Sequence, residues 1–538
     1  MGGKQKRARF AANANVPIEL RRAVVDAKKT NDVKAALAAF KAMVDQEVQV
    51  PFDLANVVLS TLVSADALDA SLLDEVLQVY EKTKEINEKP DEAFFTTAAR
   101  VLLKLDAFDK AMDVIKEMKD YGHMPRHRTY SPLLAKACED PGRLHLARTI
   151  YQEMIAAQSS DLLFEDDVSV VVEACARSQR DPNTHSSSSD DATYAVDQDL
   201  LPVERLEWVE EVLRDCVKRA TEPPSERLIN AARDFFSANN PMCKDAKPQP
   251  LDAENRCQCC GAAMKSVEPD AEQLELILKQ TEALAPLQTP AKKVDWEKFL
   301  GWEQRNIQKF DTVVDGANIS YFRASSTSDP DPRYNQADLV MTKLREMGRK
   351  PLLFFHARHF NKRGIPKDLE NKWREANCLF VVPHGHNDDV FWLHMSIKMG
   401  PRNWMVTNDQ MRDHRFEMIQ STCAFARWKE RHQTAYDVVW MEAEQKLVAS
   451  VYPPLTYSVQ IQCSDAGKWH FPVQIPPTEE ERKAAELKQR LKTLAPTELR
   501  KLLLSREITF EQFRDIRREA LGCELPKTFG KRYEWLCF

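Results

Sequence analysis

Residues 377–394, NCLFVVPHGHNDDVFWLH, pass from one apolar run through a Pro/His/Gly turn to two adjacent carboxylates and then into a second apolar run. The first run is short and bounded by turn residues, which suits a buried parallel strand, and the second reads as a helix. Asp388 and Asp389 stand at the junction. Like charges at that place can cap the helix, with Asn387 or Asp388 as first residue and the acids favouring the positive end of the dipole. They can also surround a hard divalent cation, which needs clustered carboxylate oxygens and cancels their repulsion.

The neighbouring sequence decides between these readings. Strand-like runs also occur at FDTVV (310–314), KPLLFF (350–355) and NWMVT (403–407). Between them lie helix-like segments such as ADLVMTKLREMG, with Leu339, Val340, Leu344 and Met347 at helical spacing, and KDLENKWREA. The alternation predicts an α/β sheet over 310–450, and in such sheets ligands bind beyond the carboxyl ends of the strands. Three of the four strands deliver aspartate to that edge: Asp315 after Val313 and Val314, the Asp388/Asp389 pair, and Asp409 after MVTN, with Asp413 four residues further on. One such residue is a routine cap, but several on one edge repel strongly unless a cation sits among them. The pattern predicts a Mg²⁺ or Mn²⁺ site.

The first half of the chain is patterned differently. AFKAM, VYEKT, VIKEM and IYQEM place Phe40, Tyr80, Ile115 and Tyr151 at spacings of 40, 35 and 36, with Met43, Thr83, Met118 and Met154 each three residues later. Pro51, Pro90 and Pro125 follow three of these segments, where proline stops one helix and opens the next unit. A period near 35 with two helices per unit predicts a solenoid of helix hairpins over 16–240. The run 177–199, rich in Ser and Asp, interrupts the pattern and predicts a disordered insertion at about 180–203.

Composition sets outer bounds. The chain has 538 residues, 43% hydrophobic and 29% charged, enough for several soluble domains. No uncharged apolar run approaches a membrane span, and the basic start at 1–15, with Lys4, Lys6, Arg7 and Arg9, lacks the apolar segment of a secretory signal. That start reads as a solvated tail, a nuclear signal or the beginning of an organelle presequence. A net charge of −6 argues against a uniformly basic surface but leaves local basic patches open. The 12 cysteines are scattered except for CQCC at 257–260, whose Cys257 and Cys260 have the spacing of half a tetrahedral zinc site, with Cys259 offering other pairings.

Residues 89–125, KPDEAFFTTAARVLLKLDAFDKAMDVIKEMKDYGHMP, resemble a pentatricopeptide (PPR) repeat, and the next unit, with Tyr130, Ala147 and Met154, is similar. The resemblance is clear in these two repeats and extends to four or five. VVDGANISYF, NDDVFWL and TNDQMRDH look like the three acidic motifs of NYN nuclease domains, relatives of PIN domains. Joined to PPR repeats, and continued through FARWKERHQ and GKWHFPV, they look like protein-only RNase P, the family that removes 5′ leaders from precursor tRNAs without an RNA subunit.

The resemblance implies a multidomain chain: an all-α PPR solenoid, a zinc-stapled central region of 241–309 with 451–538, and an α/β NYN/PIN-like nuclease domain. It implies catalysis by metal-assisted hydrolysis, with Mg²⁺ (or Mn²⁺), two ions, at Asp315, Asp388, Asp389 and Asp409. Asp413 and His414 lie in the same motif as further candidates. It implies one structural Zn²⁺ on Cys257, Cys260, His470 and Cys537, with Cys523 as the alternative fourth ligand because a charged helical insertion near the C-terminus alters the final spacing. Thr96 and Ser131, each following an aromatic residue, become base-reading candidates. Arg412, Arg415, Arg427, Lys429 and Arg431 become phosphate contacts, against the alternative of a solvated helix face. His384 and His386 are read as loop residues able to touch RNA.

The expected partner is precursor tRNA, with no membrane and no second subunit, and the expected compartment is the nucleus, mitochondrion or plastid. Two rivals remain: a PIN/NYN endonuclease acting on other RNAs, which the PPR array disfavours, and a non-catalytic PPR RNA-binding protein, which the four acids disfavour.

Overall fold

The computed structural model describes residues 16–48, 50–86, 90–157, 164–180, 200–285, 289–322, 333–361, 364–409, 411, 422–441, 446–492, 494–505, 507–508 and 532–538. The chain divides into two compact units, with the main break between Asp245 and Ala246 and the short stretch 219–224 grouped with the second. Among the described residues no helix is long and apolar enough to cross a membrane. The basic tail at 1–15 and most of the Ser/Asp-rich run lie outside the described residues.

The first unit is a run of helix pairs, Ile18–Thr30 with Val33–Asp45, Phe52–Ser64 with Leu73–Ile86, Glu92–Lys104 with Phe108–Asp120 and His127–Ala137 with Leu144–Ala157, followed by Glu165–Arg180, Pro202–Arg219 and Glu226–Asn239, of which the first and last pack together. The expected solenoid is therefore present. Local chemistry starts these helices where the sequence places them. Pro51 caps Phe52–Ser64, and the carboxylates of Asp32 and Asp91 accept from the Ala35 and Phe94 amides. The periodic residues form the buried face: Phe40, Tyr80, Ile115 and Tyr151, then Met43, Thr83, Met118 and Met154, are all buried. Burial of each large apolar side chain contributes about 1.5–3 kcal/mol, so the period is the principal source of cohesion between neighbouring pairs.

In the second unit a six-stranded sheet has the order β3-β2-β1-β4-β5-β6. Its strands are β1 (Thr312–Asp315), β2 (Pro351–His356), β3 (Leu379–Val382), β4 (Trp404–Val406), β5 (Gln433–Met441) and β6 (Lys446–Tyr452). All neighbours pair in parallel except β5 with β6. The four strands expected from sequence are β1 to β4. The chain builds outward from β1 to β3 on one side and returns to β4 on the other, which makes the β1/β4 junction the topological switch point. Apolar clusters cover both faces, one around Trp392, Phe391 and Trp428, the other around Phe355, Trp373 and Tyr436.

A separate three-stranded sheet joins β7 (Gln462–Cys463), β8 (Trp469–Gln474) and β9 (Tyr533–Cys537), and Gln249 bridges to Trp535 at its edge. The C-terminal insertion contributes helices Glu479–Lys492 and Pro496–Leu504, which share a small apolar cluster of Leu491, Leu499 and Ile508.

Candidate functional site

Asp315 ends β1 and caps the helix Gly316–Tyr321. Its Oδ1 accepts from the Asn318 amide at 3.0 Å and its Oδ2 from the Thr407 hydroxyl at 3.1 Å. Gly316 follows because nothing larger fits: a Cβ there would lie 2.6 Å from the Phe355 ring and 2.7 Å from the Phe354 carbonyl oxygen. Asp388 and Asp389 open the helix Asp388–Lys398, capped by the Asn387 side chain, which accepts from the Asp389 amide at 3.1 Å. Asp389 in turn accepts from the Trp392 indole at 3.2 Å. Asp409 stands three residues beyond β4, its Oδ1 accepting from the Met411 amide at 2.9 Å.

Asp315, Asp388 and Asp389 share one electrostatic environment. Burial first, then the negative charges of Asp389 and Asp388, holds the Asp315 carboxyl well above the usual carboxylate range. A cation among these groups would remove that penalty, so the donor set fits a hard divalent ion. Among the described residues the carboxylates are not gathered as closely as the Cys/His set below.

Several supporting residues escaped the sequence reading. Asn318 Oδ1 accepts from the Asn408 amide at 3.0 Å and from the Tyr436 hydroxyl at 2.7 Å, while Gln433 donates to the carbonyls of Thr407 and Asp409. Together with Thr407 they tie the ends of β1, β4 and β5 around the switch point. The available signal was a run of polar residues, Thr407 and Asn408, directly after an apolar strand. His356, the last residue of β2, also reaches this edge, with its ring 5.6 Å from that of His384. Burial lowers its pKa while Asp388 opposes the shift. His386 is buried, whereas His384 is exposed.

The second centre is compact. Cys257, Cys260, His470 and Cys537 present ligand atoms that all lie within 4.8 Å of one another. The β8/β9 ladder sets His470 opposite Cys537, so their side chains project from the same face. The CQCC turn is closed by hydrogen bonds from the Cys257 amide to the Ala262 carbonyl and from the Gly261 amide to the Cys257 carbonyl, both 2.8 Å. Cys260 Sγ stands 3.1 Å from His470 Nε2. Burial pushes the Cys257 and Cys537 thiols up and the His470 imidazole down. Three cysteine sulfurs and one imidazole at this spacing are the donor set of a tetrahedral zinc site. Cys523 lies outside the described residues.

The RNA-contact candidates fare unevenly. Thr96 is 4% exposed and its hydroxyl is held 2.7 Å from that of Thr129 on the next repeat. This corrects the expectation that Thr96 reads a base, because helix pairing consumes the group. The Ser131 hydroxyl donates to Asp167, which also pairs with His127 at 2.6 Å. Arg427 is buried and its guanidinium donates to the Ala220 carbonyl, which corrects its reading as a phosphate contact. Arg431 donates to Glu268 at 3.0 Å, and Lys429 is half-buried. Arg412, Asp413, His414 and Arg415 lie outside the described residues.

Fold and sites define a class: a helical-repeat protein that also carries an α/β nuclease domain with an acidic strand edge and a Cys/His cluster. Residues 251–492 match the family model of protein-only RNase P, and residues 4–186 match that of the pentacotripeptide-repeat region of PRORP. The chain belongs to the protein-only RNase P family. It is similar to Proteinaceous RNase P 2 of Arabidopsis thaliana, with 27% identity over 483 residues that cover 84% of this chain and 88% of the relative. A second relative, Proteinaceous RNase P 1, chloroplastic/mitochondrial, of Arabidopsis thaliana, is 27% identical over 410 residues, 72% of this chain and 66% of the relative. The crystal structure of nuclear proteinaceous RNase P 2 from A. thaliana matches with a TM-score of 0.64 at 24% identity, covering 86% of this chain and 97% of that one, a likeness of fold.

Proposed function

We propose that this chain is an endoribonuclease that removes the 5′ leader of precursor tRNAs by metal-assisted phosphodiester hydrolysis, leaving a 5′-phosphate on the tRNA. The observation that carries this reading is the gathering of Asp315, Asp388 and Asp389 at the sheet's switch point in a chain whose two halves match the two family models.

In this reading Asp315, Asp388, Asp389 and Asp409 hold two Mg²⁺ or Mn²⁺ ions, and Asp413 and His414 assist from the same motif. Bound cations supply a Lewis acid that makes water nucleophilic near neutral pH and stabilises the departing oxygen. The chain's own residues set the geometry. Thr407 and the Asn318 amide orient the Asp315 carboxylate, the Trp392 indole orients Asp389, and Gln433 fixes the Asp409 backbone. No side-chain nucleophile is required. Zn²⁺ on Cys257, Cys260, His470 and Cys537 fastens the turn at 257–260 to the β8/β9 sheet.

The helical array supplies contact area for the folded precursor, and Arg412 and Arg415, which follow Asp409 in the same motif, supply phosphate contacts. The protein acts without an RNA subunit and as a monomer, in the nucleus or an organelle, the compartments named for its relatives. The test is to incubate purified protein with Mg²⁺ and a 5′-labelled precursor tRNA and to map the new ends. A mature tRNA 5′ end bearing phosphate is expected. Cleavage elsewhere, or none, rejects the assignment.

A further inference from the structure

The helix that begins with Asp388 and Asp389 is buried along its whole middle, Val390 to Ile397. A helix buried on every side is held by packing alone unless a polar group fixes its rotation. Two such groups are present: Ser396, whose hydroxyl accepts from the buried Asn403 side-chain amide at 2.6 Å, and His394, the only one of the two that meets charged partners on other helices among the described residues. His394 has no exposed surface, and both ring nitrogens meet carboxylates: Nδ1 lies 2.9 Å from Glu303 Oε1 and Nε2 lies 3.2 Å from Glu282 Oε1. Glu303 is 4% exposed and belongs to the helix Pro290–Asn306, while Glu282 belongs to Ala271–Leu284. The rings of Trp296 and Phe299 close edge-on around the imidazole, at centroid distances of 5.2 and 5.7 Å.

The chemistry of this triad is restrictive. An ionised carboxylate only accepts hydrogen bonds, and a neutral imidazole donates from one nitrogen. Two carboxylates therefore bind one imidazole fully only if the cluster retains an extra proton, on the second ring nitrogen or on a glutamate. A set so satisfied is directional. It connects three helices and is met at one rotation of the central helix, whereas the surrounding aromatic surface would tolerate small rotations and slides. His394 lies five and six residues from the two acids, roughly 8–9 Å along the axis at the helical rise. Rotation at His394 is thus rotation at Asp388 and Asp389.

We propose that His394, Glu303 and Glu282 form a positioning triad that sets the angle at which Asp388 and Asp389 face Asp315. The proposal rests on the reading that these aspartates hold divalent cations. None of the three touches substrate or metal, and their effect passes through the helix.

The full-length chain tests this with two variants. The double variant His394→Phe/Glu303→Leu removes both buried polar groups together, so no uncompensated charge is left inside. Glu282→Gln alters only the partly exposed partner. Two quantities are read: Mn²⁺ affinity, from the electron paramagnetic resonance signal of free Mn²⁺, and the single-turnover cleavage rate at saturating precursor tRNA beside the precursor's Kd. The double variant is expected to melt near wild type and bind precursor equally, but to bind Mn²⁺ several-fold more weakly and cleave about ten- to a hundredfold more slowly. A merely structural role would lower melting temperature without splitting rate from affinity.

Wild-type Mn²⁺ affinity and rate in a folded double variant would overturn the triad. If the double variant does not fold, Glu282→Gln decides by the same readouts, a several-fold loss in both supporting the triad and no change overturning it. A wild-type protein that neither cleaves nor binds Mn²⁺ through Asp388 overturns the site reading and the triad together. One that does both, with unaffected variants, overturns the triad alone.

Discussion

Thr407 donates its hydroxyl to Asp315 Oδ2 across the β1/β4 junction at 3.1 Å, so the two strands that flank the sheet's switch point are joined by the carboxylate proposed to bind metal. The hydrogen bonds from Thr407 and the Asn318 amide favour the charged form, but burial first, then the negative charges of Asp389 and Asp388, outweigh them and hold the carboxyl well above its usual range.

A pH dependence follows with a definite sign. A carboxyl whose pKa is raised on folding stabilises the fold below its ordinary pKa and loses that contribution as pH rises through the folded value. Without divalent ions, Asp315→Asn is therefore expected to melt higher than wild type near neutral pH, the difference closing below about pH 4, where both states of the wild-type group are protonated. Mg²⁺ should raise the wild-type melting temperature, increasingly so at higher pH as the ion displaces the proton, and should leave Asp315→Asn nearly unchanged. Differential scanning calorimetry across pH with and without Mg²⁺ checks this. A Mg²⁺ response that is equal in both proteins removes Asp315 from the site.

Asp388→Asn and Asp389→Asn should leave the fold and precursor-tRNA affinity nearly intact while cleavage falls by several orders of magnitude, since the exchange keeps shape and the helix cap but withdraws the charge a cation needs. Asp389 accepts from Trp392, and an amide oxygen can do the same, so packing is preserved. Single-turnover kinetics beside filter binding is the measurement. Near-wild-type cleavage in either variant takes that residue out of the reaction.

Much of the proposed site was legible because its signals are local. Asp315, Asp388 and Asp409 each follow an apolar strand within a few residues, and strand ends in an α/β sheet converge whatever the connections. The Cys257/Cys260 spacing was equally readable, whereas His470 and Cys537 came from family resemblance and only the β8/β9 register shows why they meet. Asn318, Thr407 and His394 were missed since their partners lie 90 or more positions away, and Gln433 since its partner lies across strands whose order the sequence does not display. β5 and β6 went unseen for a related reason: an antiparallel edge pair with mixed burial lacks the continuous apolar run of β1 and β2. Thr96 was misread because a small polar residue on a helix looks exposed until the next repeat supplies Thr129.

Thr96→Val tests that correction. The exchange keeps the branched shape and deletes the hydroxyl that meets Thr129, leaving a buried group without this partner, so the loss of stability should be about 1–3 kcal/mol. Precursor-tRNA affinity should not move at temperatures where the array is folded. Denaturant melts and binding isotherms on the same preparation separate the two effects. Weakened RNA binding with undiminished stability would restore Thr96 as a base contact.

The Cys/His centre makes the last prediction. His470 is fully buried and burial lowers its pKa, so the imidazole is held neutral and available. Cys537 faces it across the ladder, and both thiols at 257 and 537 are pushed up by burial, a penalty that a bound cation reverses by taking the thiolate as ligand. Because a formed site exists only in the folded chain, the free energy of metal binding is added to the stability of the fold. Purified protein is expected to contain one zinc per chain, and Cys257→Ser, His470→Ala and Cys537→Ser should each lower both zinc content and melting temperature. Acid should release the metal as protons compete for His470 and the thiolates. Elemental analysis with parallel melts measures both. Full zinc in Cys537→Ser would exclude that ligand in favour of another such as Cys523, and a zinc-free wild type would exclude the centre. Cleavage should fall in these variants only as far as folding does, because the cluster's ligands come from the turn at 257–260 and the β8/β9 sheet, whereas the acids proposed to bind the catalytic metal end or follow β1, β3 and β4.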